Sequence, residues 1–207
     1  MLRRARAAAG VLGMALSGCS SFFEPEQFEP IVLYSSQWAA IQPAQPFDLW
    51  ELRSVGPDLR HEVVASGGIR AREEIDPETL RTFDRFLVTS GFAQGCLPGH
   101  CFSYLISIQG TQIRTWTDPT GLAAFLGPID APIEALLLAR GHDYYWSGEL
   151  EAGAIRATGD GYELVVLKLV SACAPVQVNR YLLRVRASGE IRVLRNEVRD
   201  KNKEACI

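Results

Sequence analysis

Apolar and polar residues alternate in several stretches of the chain, which are separated by residues that favour turns. Phe47–Val55 and His61–Ser66 flank a Gly-Pro-Asp turn and predict a hairpin or two sequential strands. Apolar side chains take every second position from Phe102 to Ile108, and Thr111–Trp116 follows a Gln-Gly pair. This region predicts a hairpin with one covered face. Four further β-type runs between residues 154 and 198 predict an antiparallel meander.

Helix signals occur in segments between these β-type regions. An aspartate supplies the cap of each segment, apolar residues follow at helical spacing, and a glycine ends it. The segments are Pro77 to Gly91 after Asp76, Pro119–Leu126 after Asp118, and Ala131–Arg140 after Asp130. They predict one main helix and two short helices. Hairpins with helices grouped between them indicate a single α+β domain rather than a doubly wound α/β fold.

The first eighteen residues have the composition of an export signal. Three arginines precede a run of small apolar residues, Ala7–Leu16, which has about half of the ~20 residues that a membrane-spanning helix needs. We therefore expect residues 1–18 to be cleaved. The stretch Leu16-Ser17-Gly18-Cys19 resembles the lipobox of bacterial lipoproteins, in which the cysteine is acylated and becomes the new N-terminus.

This resemblance implies a location and a membrane partner. Cys19 would carry the lipid, and several acyl chains hold a protein on a bilayer almost permanently. Ser20, rather than aspartate, follows the cysteine, which in Gram-negative lipoproteins implies sorting to the outer membrane. The expected location is the periplasmic face of that membrane, with lipid attachment at Cys19.

Composition separates the rest of the chain into two parts. Residues 19–45 contain several prolines and predict an extended tether, to which residues 31–34 add an edge strand and in which the phenylalanines touch lipid or pack on the domain. Residues 46–207 predict the compact domain. Loss of the three arginines of the leader changes the formal charge from −3 to −6. An acidic chain lacks the basic surface expected of a nucleic-acid-binding protein.

The remaining cysteines predict disulfides, because an exported protein lies in an oxidising compartment. Their proximity favours a bond between Cys96 and Cys101, which leaves Cys173 and Cys206 for each other, although four cysteines allow three pairings. The alternative is a metal or redox site built from Cys96, His100 and Cys101. Haem and Cys-x-x-Cys spacings are missing and zinc needs a fourth ligand, so we expect neither a metal nor a cofactor.

Two regions are candidate sites. The first is His142-Asp143-Tyr144-Tyr145-Trp146, with Glu149 and Glu151 nearby, where a base, carboxylates and aromatic rings are close in sequence. These residues suit a glycan site with His142 and Asp143 as catalytic candidates and Tyr144 and Trp146 as binding candidates. The alternative is a strand that enters the core, with Tyr144 and Trp146 on one face and Tyr145 on the other.

The second region is a set of arginines on the last strands: Arg180, Arg184, Arg186, Arg192 and Arg195. Strand periodicity places Arg180, Arg184 and Arg186 on a face opposite Tyr181, Leu183 and Val185, and we expect the arginines to face water. Such a face either stays solvated or binds an anionic partner, such as a lipopolysaccharide phosphate or an acidic protein surface.

Motifs of the nucleophile elbow, zinc protease, phosphate loop and dinucleotide fingerprint are missing from the sequence. The residues therefore favour a non-catalytic envelope protein that binds another envelope protein or a cell-wall component. A small envelope hydrolase or glycan-active protein using His142 and Asp143 is one alternative. A periplasmic inhibitor or immunity protein is another.

Overall fold

The computed structural model describes residues 22–32, 35–95 and 101–206, which form one domain with two antiparallel sheets. The strands are β1 Glu29–Pro30, β2 Leu49–Val55, β3 His61–Gly67, β4 Phe92–Gly95, β5 Cys101–Gln109, β6 Gln112–Trp116, β7 Ala154–Thr158, β8 Gly161–Ala172, β9 Val176–Arg186 and β10 Ile191–Asn202. The helices are α1 Pro77–Arg85, α2 Pro119–Leu126 and α3 Pro132–Gly141, with short 3-10 turns at Pro25–Gln27, Ser35–Ala40 and Arg72–Glu74. Within these ranges, no helix has the length and apolar character needed to cross a membrane.

The predicted hairpins are confirmed. The N-terminal sheet has the order β3-β2-β5-β4, and β6 pairs with the same edge of β5 as β4 does. Both early hairpins, β2–β3 and β5–β6, therefore lie in this sheet. The C-terminal sheet has the order β1-β7-β8-β9-β10, in which β7 to β10 form the predicted meander. The fold belongs to the α+β class and is dominated by strands.

The strand β5 differs from the prediction of one covered face. Its even-numbered side chains pack with Phe83 of α1, and its odd-numbered side chains point to the opposite side, where Ser103 and Ser107 are also buried. This second face is buried because α2, α3 and the C-terminal sheet pack against it, whereas the sequence pattern predicts that it faces water. The central strands β2 and β5 are therefore buried on both faces.

Helix α1 is shorter than predicted and is not the main helix, since α3 is longer. Asp76 caps it as expected, because its carboxylate accepts a hydrogen bond from Thr79 N at 2.8 Å. The helix ends at Arg85 because Phe86 is extended and its carbonyl accepts hydrogen bonds from the sheet: Arg53 Nη1 at 3.3 Å and Tyr104 Oη at 3.2 Å. Partners from the sheet thus replace the next turn of helix.

Helix α3 lies between the two sheets and is buried on all sides. The predicted cap, Asp130, does not act through its side chain. Instead, Glu134 reaches back to accept hydrogen bonds from the N–H groups of Asp130 and Ala131, at 3.1 and 3.2 Å, and also from Gln42 N at 3.0 Å. Burial raises the pKa of Glu134, which these backbone donors oppose. The carboxylate therefore links the helix start to the N-terminal segment.

The segment from Phe22 to Phe47 packs on the domain, in contrast to the extended tether that its prolines indicate. Phe22, Phe23 and Phe28 are at most 8% exposed and cover the face of the C-terminal sheet that points away from α3. Trp38 joins the core between the sheets. Apolar side chains at spaced positions outweigh the tendency of proline to keep the segment extended.

The bond between Cys173 and Cys206 is confirmed, with a sequence separation of 33. Cys101 is also disulfide-bonded, and its predicted partner, Cys96, lies outside the described residues. Cys19, the predicted lipid attachment site, also lies outside them.

Replacing both Cys173 and Cys206 by serine should lower the free energy of unfolding by about 3 to 4 kcal/mol, because a loop of this length is closed in the unfolded chain. Urea unfolding of the oxidised and variant proteins measures the difference. A loss below about 0.5 kcal/mol would show that the C-terminal tail is held by other contacts.

Candidate functional site

A groove lies where α3 ends, between β4 and residues 142–146. One cavity of about 350 Å³ is lined by Ala93, Arg140, Asp143 and the aromatic residues 144–146. A second cavity of about 330 Å³ shares Asp143 and is lined by Gln94, Asp118, His142 and Lys168. We call the two together the Arg140 groove. It contains the first of the two candidate regions.

Arg140 is a charged residue in the groove whose guanidinium has no partner among the described residues. It lies in the last turn of α3, where the helix dipole favours a cation. In the described part of the chain its guanidinium makes no hydrogen bond or ion pair, and the undescribed residues 96–100 contain no acid. Burial lowers the pKa of Arg140. A half-buried cation that pairs with no acid among the described residues is suited to an anionic ligand.

His142 and Asp143 follow α3 and are both exposed. Asp143 ends the helix with a φ of 64°, a conformation that aspartate tolerates better than most residues, and its carboxylate accepts a hydrogen bond from Gln94 N at 3.3 Å. Burial and then the charge of Lys168 lower the pKa of His142, while Asp143 opposes them. In the described structure, the imidazole makes no hydrogen bond, so His142 and Asp143 do not form an acid–base pair.

Lys168 on β8 holds the segment after α3 in place. Its ammonium donates a hydrogen bond to the carbonyl of His142 at 2.8 Å and lies 4.9 Å from the centre of the Tyr144 ring. The Lys168 ammonium therefore has interaction partners within the described part of the protein, in contrast to the Arg140 guanidinium.

The aromatic residues follow the strand alternative. Tyr144 is buried against Tyr181, with ring centres 5.2 Å apart, and Trp146 packs against the same core. Tyr145 is 42% exposed and exchanges backbone hydrogen bonds with Leu167, which extends the edge of β8. All three side chains nevertheless border the groove, because the pairing at Leu167 brings this segment past Arg140.

The other acids of this region do not converge on the groove. Glu149 pairs with Arg199 at 3.2 Å, and Glu151 pairs with Arg180 at 3.6 Å. Both arginines belong to the C-terminal sheet. The carboxylate pair that a retaining or inverting glycosidase needs is therefore not assembled from these residues in the described structure.

The arginine face is covered at one end, where Phe22, Phe23 and Phe28 pack on the sheet, and the side chains of Arg184 and Arg186 stay more than a third exposed, as predicted for a solvated face. Arg180 lies 4.5 Å from the Phe22 ring centre and Arg195 lies 5.2 Å from it. The guanidinium groups of Arg180, Arg184 and Arg186 are engaged by Glu197, Glu163 and Glu190, respectively. Arg192 is exposed. These arginines mainly hold strands and the N-terminal segment together.

Arg140 and Lys168 are the residues that sequence patterns miss. An arginine before a helix-ending glycine has the ordinary position of a cation at the negative end of a helix dipole. Nothing in the local sequence distinguishes a solvated arginine there from one turned into a groove. The distinction depends on β4 and Tyr145, which are distant in sequence.

No group of three or more His, Cys, Asp or Glu side chains in the described ranges is placed to hold a metal ion. Of the alternative Cys96–His100–Cys101 site, Cys101 is disulfide-bonded, while Cys96 and His100 lie outside the described residues.

No family model, curated protein or solved structure matches the chain. The chemistry of the Arg140 groove is therefore inferred from its own residues.

Proposed function

We propose that the protein is a bacterial lipoprotein, anchored through Cys19 on the periplasmic face of the outer membrane. Its role is non-catalytic binding of a carboxylate-bearing cell-wall component in the Arg140 groove. The leader and the lipobox-like stretch at Leu16-Ser17-Gly18-Cys19 support the anchor. The Cys173–Cys206 disulfide agrees with an oxidising compartment outside the cytoplasm.

The observation that carries the binding role is the unpaired guanidinium of Arg140 beside three aromatic side chains. A guanidinium binds a carboxylate through two parallel hydrogen bonds, and Tyr145 and Trp146 offer ring surface to the apolar face of a sugar or side chain. Fragments of peptidoglycan combine sugars with peptide carboxylates. A ligand of this class matches both features of the groove.

The hydrolase alternative receives less support from the same geometry. Hydrolysis needs a base and an acid or nucleophile aimed at one point. His142 makes no hydrogen bond to Asp143 in the described structure, and the carboxylate of Asp143 accepts from a backbone N–H. Binding therefore explains the groove with fewer assumptions than catalysis.

We expect Arg140→Gln to weaken binding of soluble muropeptides by roughly 10- to 100-fold, the loss of one charge-assisted interaction. Arg140→Lys should recover part of the affinity, because it keeps the charge but loses the paired geometry. Titration calorimetry on the full-length protein, purified from membranes in mild detergent, gives the dissociation constants.

The matched control is Arg192→Gln, which removes an exposed arginine outside the groove and should leave the affinity unchanged. Equal binding by the wild type and Arg140→Gln would reject the groove as the site. No binding by the wild type would reject this ligand class.

A further inference from the structure

The N-terminal segment is fixed to the C-terminal sheet from its first described residue. The Phe22 ring contacts the guanidinium groups of Arg180 and Arg195, and the Phe22 carbonyl accepts a hydrogen bond from Arg195 Nη1 at 3.3 Å. The segment then crosses the sheet, since Arg156 of β7 lies 4.8 Å from the ring centre of Phe28. The chain thus enters the described domain above β9 and β10 and continues toward β7.

This position limits how far the domain can lie from a lipid on Cys19. Two residues, Ser20 and Ser21, lie between Cys19 and Phe22. An extended chain spans at most ~3.6 Å per residue, so the three steps place the two Cα atoms at most about 11 Å apart. The polar headgroup layer on one side of a bilayer is about 5 to 7 Å thick. A chain of this reach cannot act as a long flexible tether.

We propose that the β10 edge of the C-terminal sheet, with the adjoining Phe22 face, is a docking surface for the phospholipid bilayer that holds Cys19. The inference rests on the proposed lipid anchor. Because the chain between Cys19 and Phe22 is short, the lipid anchor both attaches the domain to the membrane and fixes which surface of the domain faces it.

The composition of β10 fits a surface of anionic phospholipids. The strand carries four cations, Arg192, Arg195, Arg199 and Lys201, against the two acids Glu197 and Asp200, in a mature chain whose formal charge is −6, although Arg199 also pairs with Glu149 and Arg195 contacts Phe22. Cations within a Debye length of about 8 Å from anionic headgroups are attracted to them.

Exposed aliphatic side chains lie on the same edge strand, and the cross-strand pairs Val193–Leu183 and Val198–Asn179 place two of them on its α3 side, opposite Phe22. Val193, Leu194 and Val198 are 43%, 39% and 53% exposed. Among the described strands, β10 is an edge strand whose outer side has no partner. Apolar side chains beside arginines suit the boundary between headgroups and acyl chains.

The same orientation directs the Arg140 groove away from the membrane. Phe22 lies on the outer face of the C-terminal sheet, whereas α3 and the groove lie on the inner face, where Lys168 contacts His142 and Tyr144. Docking through the Phe22 face therefore leaves the groove open to the periplasm.

The test uses full-length protein purified from membranes and reconstituted in vesicles of phosphatidylethanolamine and phosphatidylglycerol that contain a headgroup-linked quencher. A fluorophore is attached to Leu194→Cys, and to Leu87→Cys as the control. Leu87 is also an exposed leucine, at 62%, and lies just after α1 on the far side of the N-terminal sheet. Mass spectrometry of each preparation establishes whether Cys19 carries lipid and whether the native disulfides are intact.

We expect the label at Leu194 to be quenched at least about twofold more than the label at Leu87, given the reach of about 11 Å from Cys19 to Phe22. A spacer of about 12 Gly and Ser residues between Ser21 and Phe22 adds roughly 40 Å of reach and should bring the two labels to the same level. Quenching that is undiminished by the spacer would overturn the short reach as the cause of docking.

The two proposals fail in different ways. Equal quenching at both positions in a chain that carries lipid on Cys19 would overturn the docking surface and leave the anchor standing. A chain without lipid on Cys19 would overturn the anchor and the docking surface together.

Discussion

Replacing Arg53 by alanine should lower the free energy of unfolding by roughly 3 to 5 kcal/mol, as expected when one partner of a buried ion pair is removed. Arg53 is 1% exposed, and its guanidinium lies 2.7 Å from the Glu51 carboxylate and 4.6 Å from the centre of the Phe83 ring. It also donates to the carbonyl of Phe83 at 3.1 Å. Its loss leaves buried carbonyls without a donor and opens a cavity under α1.

Chemical denaturation of the variant and the wild type measures this loss. Arg60→Ala is the control, because Arg60 also has an acidic partner, Asp58, but its side chain is 88% exposed, so its removal should change stability by less than about 1 kcal/mol. A similar small change for Arg53→Ala would mean that Arg72, the second partner of Glu51, compensates for the loss.

Arg53 also shows where sequence patterns stop being informative. In Leu49–Val55 the polar residues Glu51, Arg53 and Ser54 interrupt the apolar ones, which is the ordinary pattern of a half-exposed strand. The strand is instead central, with β3 on one side and β5 on the other, and it is covered on both faces. Polar residues there are buried with partners from other elements, and a linear pattern does not reveal such partners.

Sequence patterns predict helix caps and turns correctly where a short stretch of chain determines the conformation. Asp118 caps α2 by accepting from Gly121 N at 2.9 Å, and Gly127 ends it with a φ of 69°. The turn between β5 and β6 occurs at the Gln-Gly pair, where Gly110 has a φ of 63°. In each case the residues that determine the conformation are within a few positions of one another.

The placement of whole elements was not predictable in the same way. Proline-rich sequence indicates an extended N-terminal segment, yet Phe22 and Phe28 pack on a face whose cations come from β7, β9 and β10. The Arg140 groove likewise combines the end of α3 with β4 and the pairing of Tyr145 to Leu167. Such contacts depend on how the sheets stack, which residue spacing does not encode.

The carboxylate of Glu163 is the buried centre of a charge triad on the outer face of the C-terminal sheet. Glu163 is 1% exposed and is cross-strand partner to Arg156 on β7 and to Arg184 on β9. Arg156 Nε lies 2.8 Å from it, and Arg184 also pairs with it. Both arginine side chains are about a third exposed, so water also solvates their charges. Among the described residues, the buried carboxylate of Glu163 has only the two arginines to balance its charge.

Replacing Arg156 and Arg184 together by alanine should therefore cost roughly 3 to 5 kcal/mol of unfolding free energy, because a buried carboxylate is left without a cation. Adding Glu163→Met should restore most of that loss, since an apolar side chain of similar size suits a position that is 1% exposed. Urea unfolding of the double and triple variants measures both effects. Arg186→Ala, which breaks an exposed pair with Glu190, should change stability by less than about 1 kcal/mol.

The order of stability of these variants distinguishes charge from packing. If the unpaired carboxylate causes the loss, the triple variant is more stable than the double variant although it contains fewer of the original side chains. If Arg156 acts mainly by covering Phe28 and contacting Gln27, the triple variant is no more stable than the double variant. In that second case, the N-terminal segment would detach in both variants, and residues 22–30 would lose their protection from hydrogen exchange.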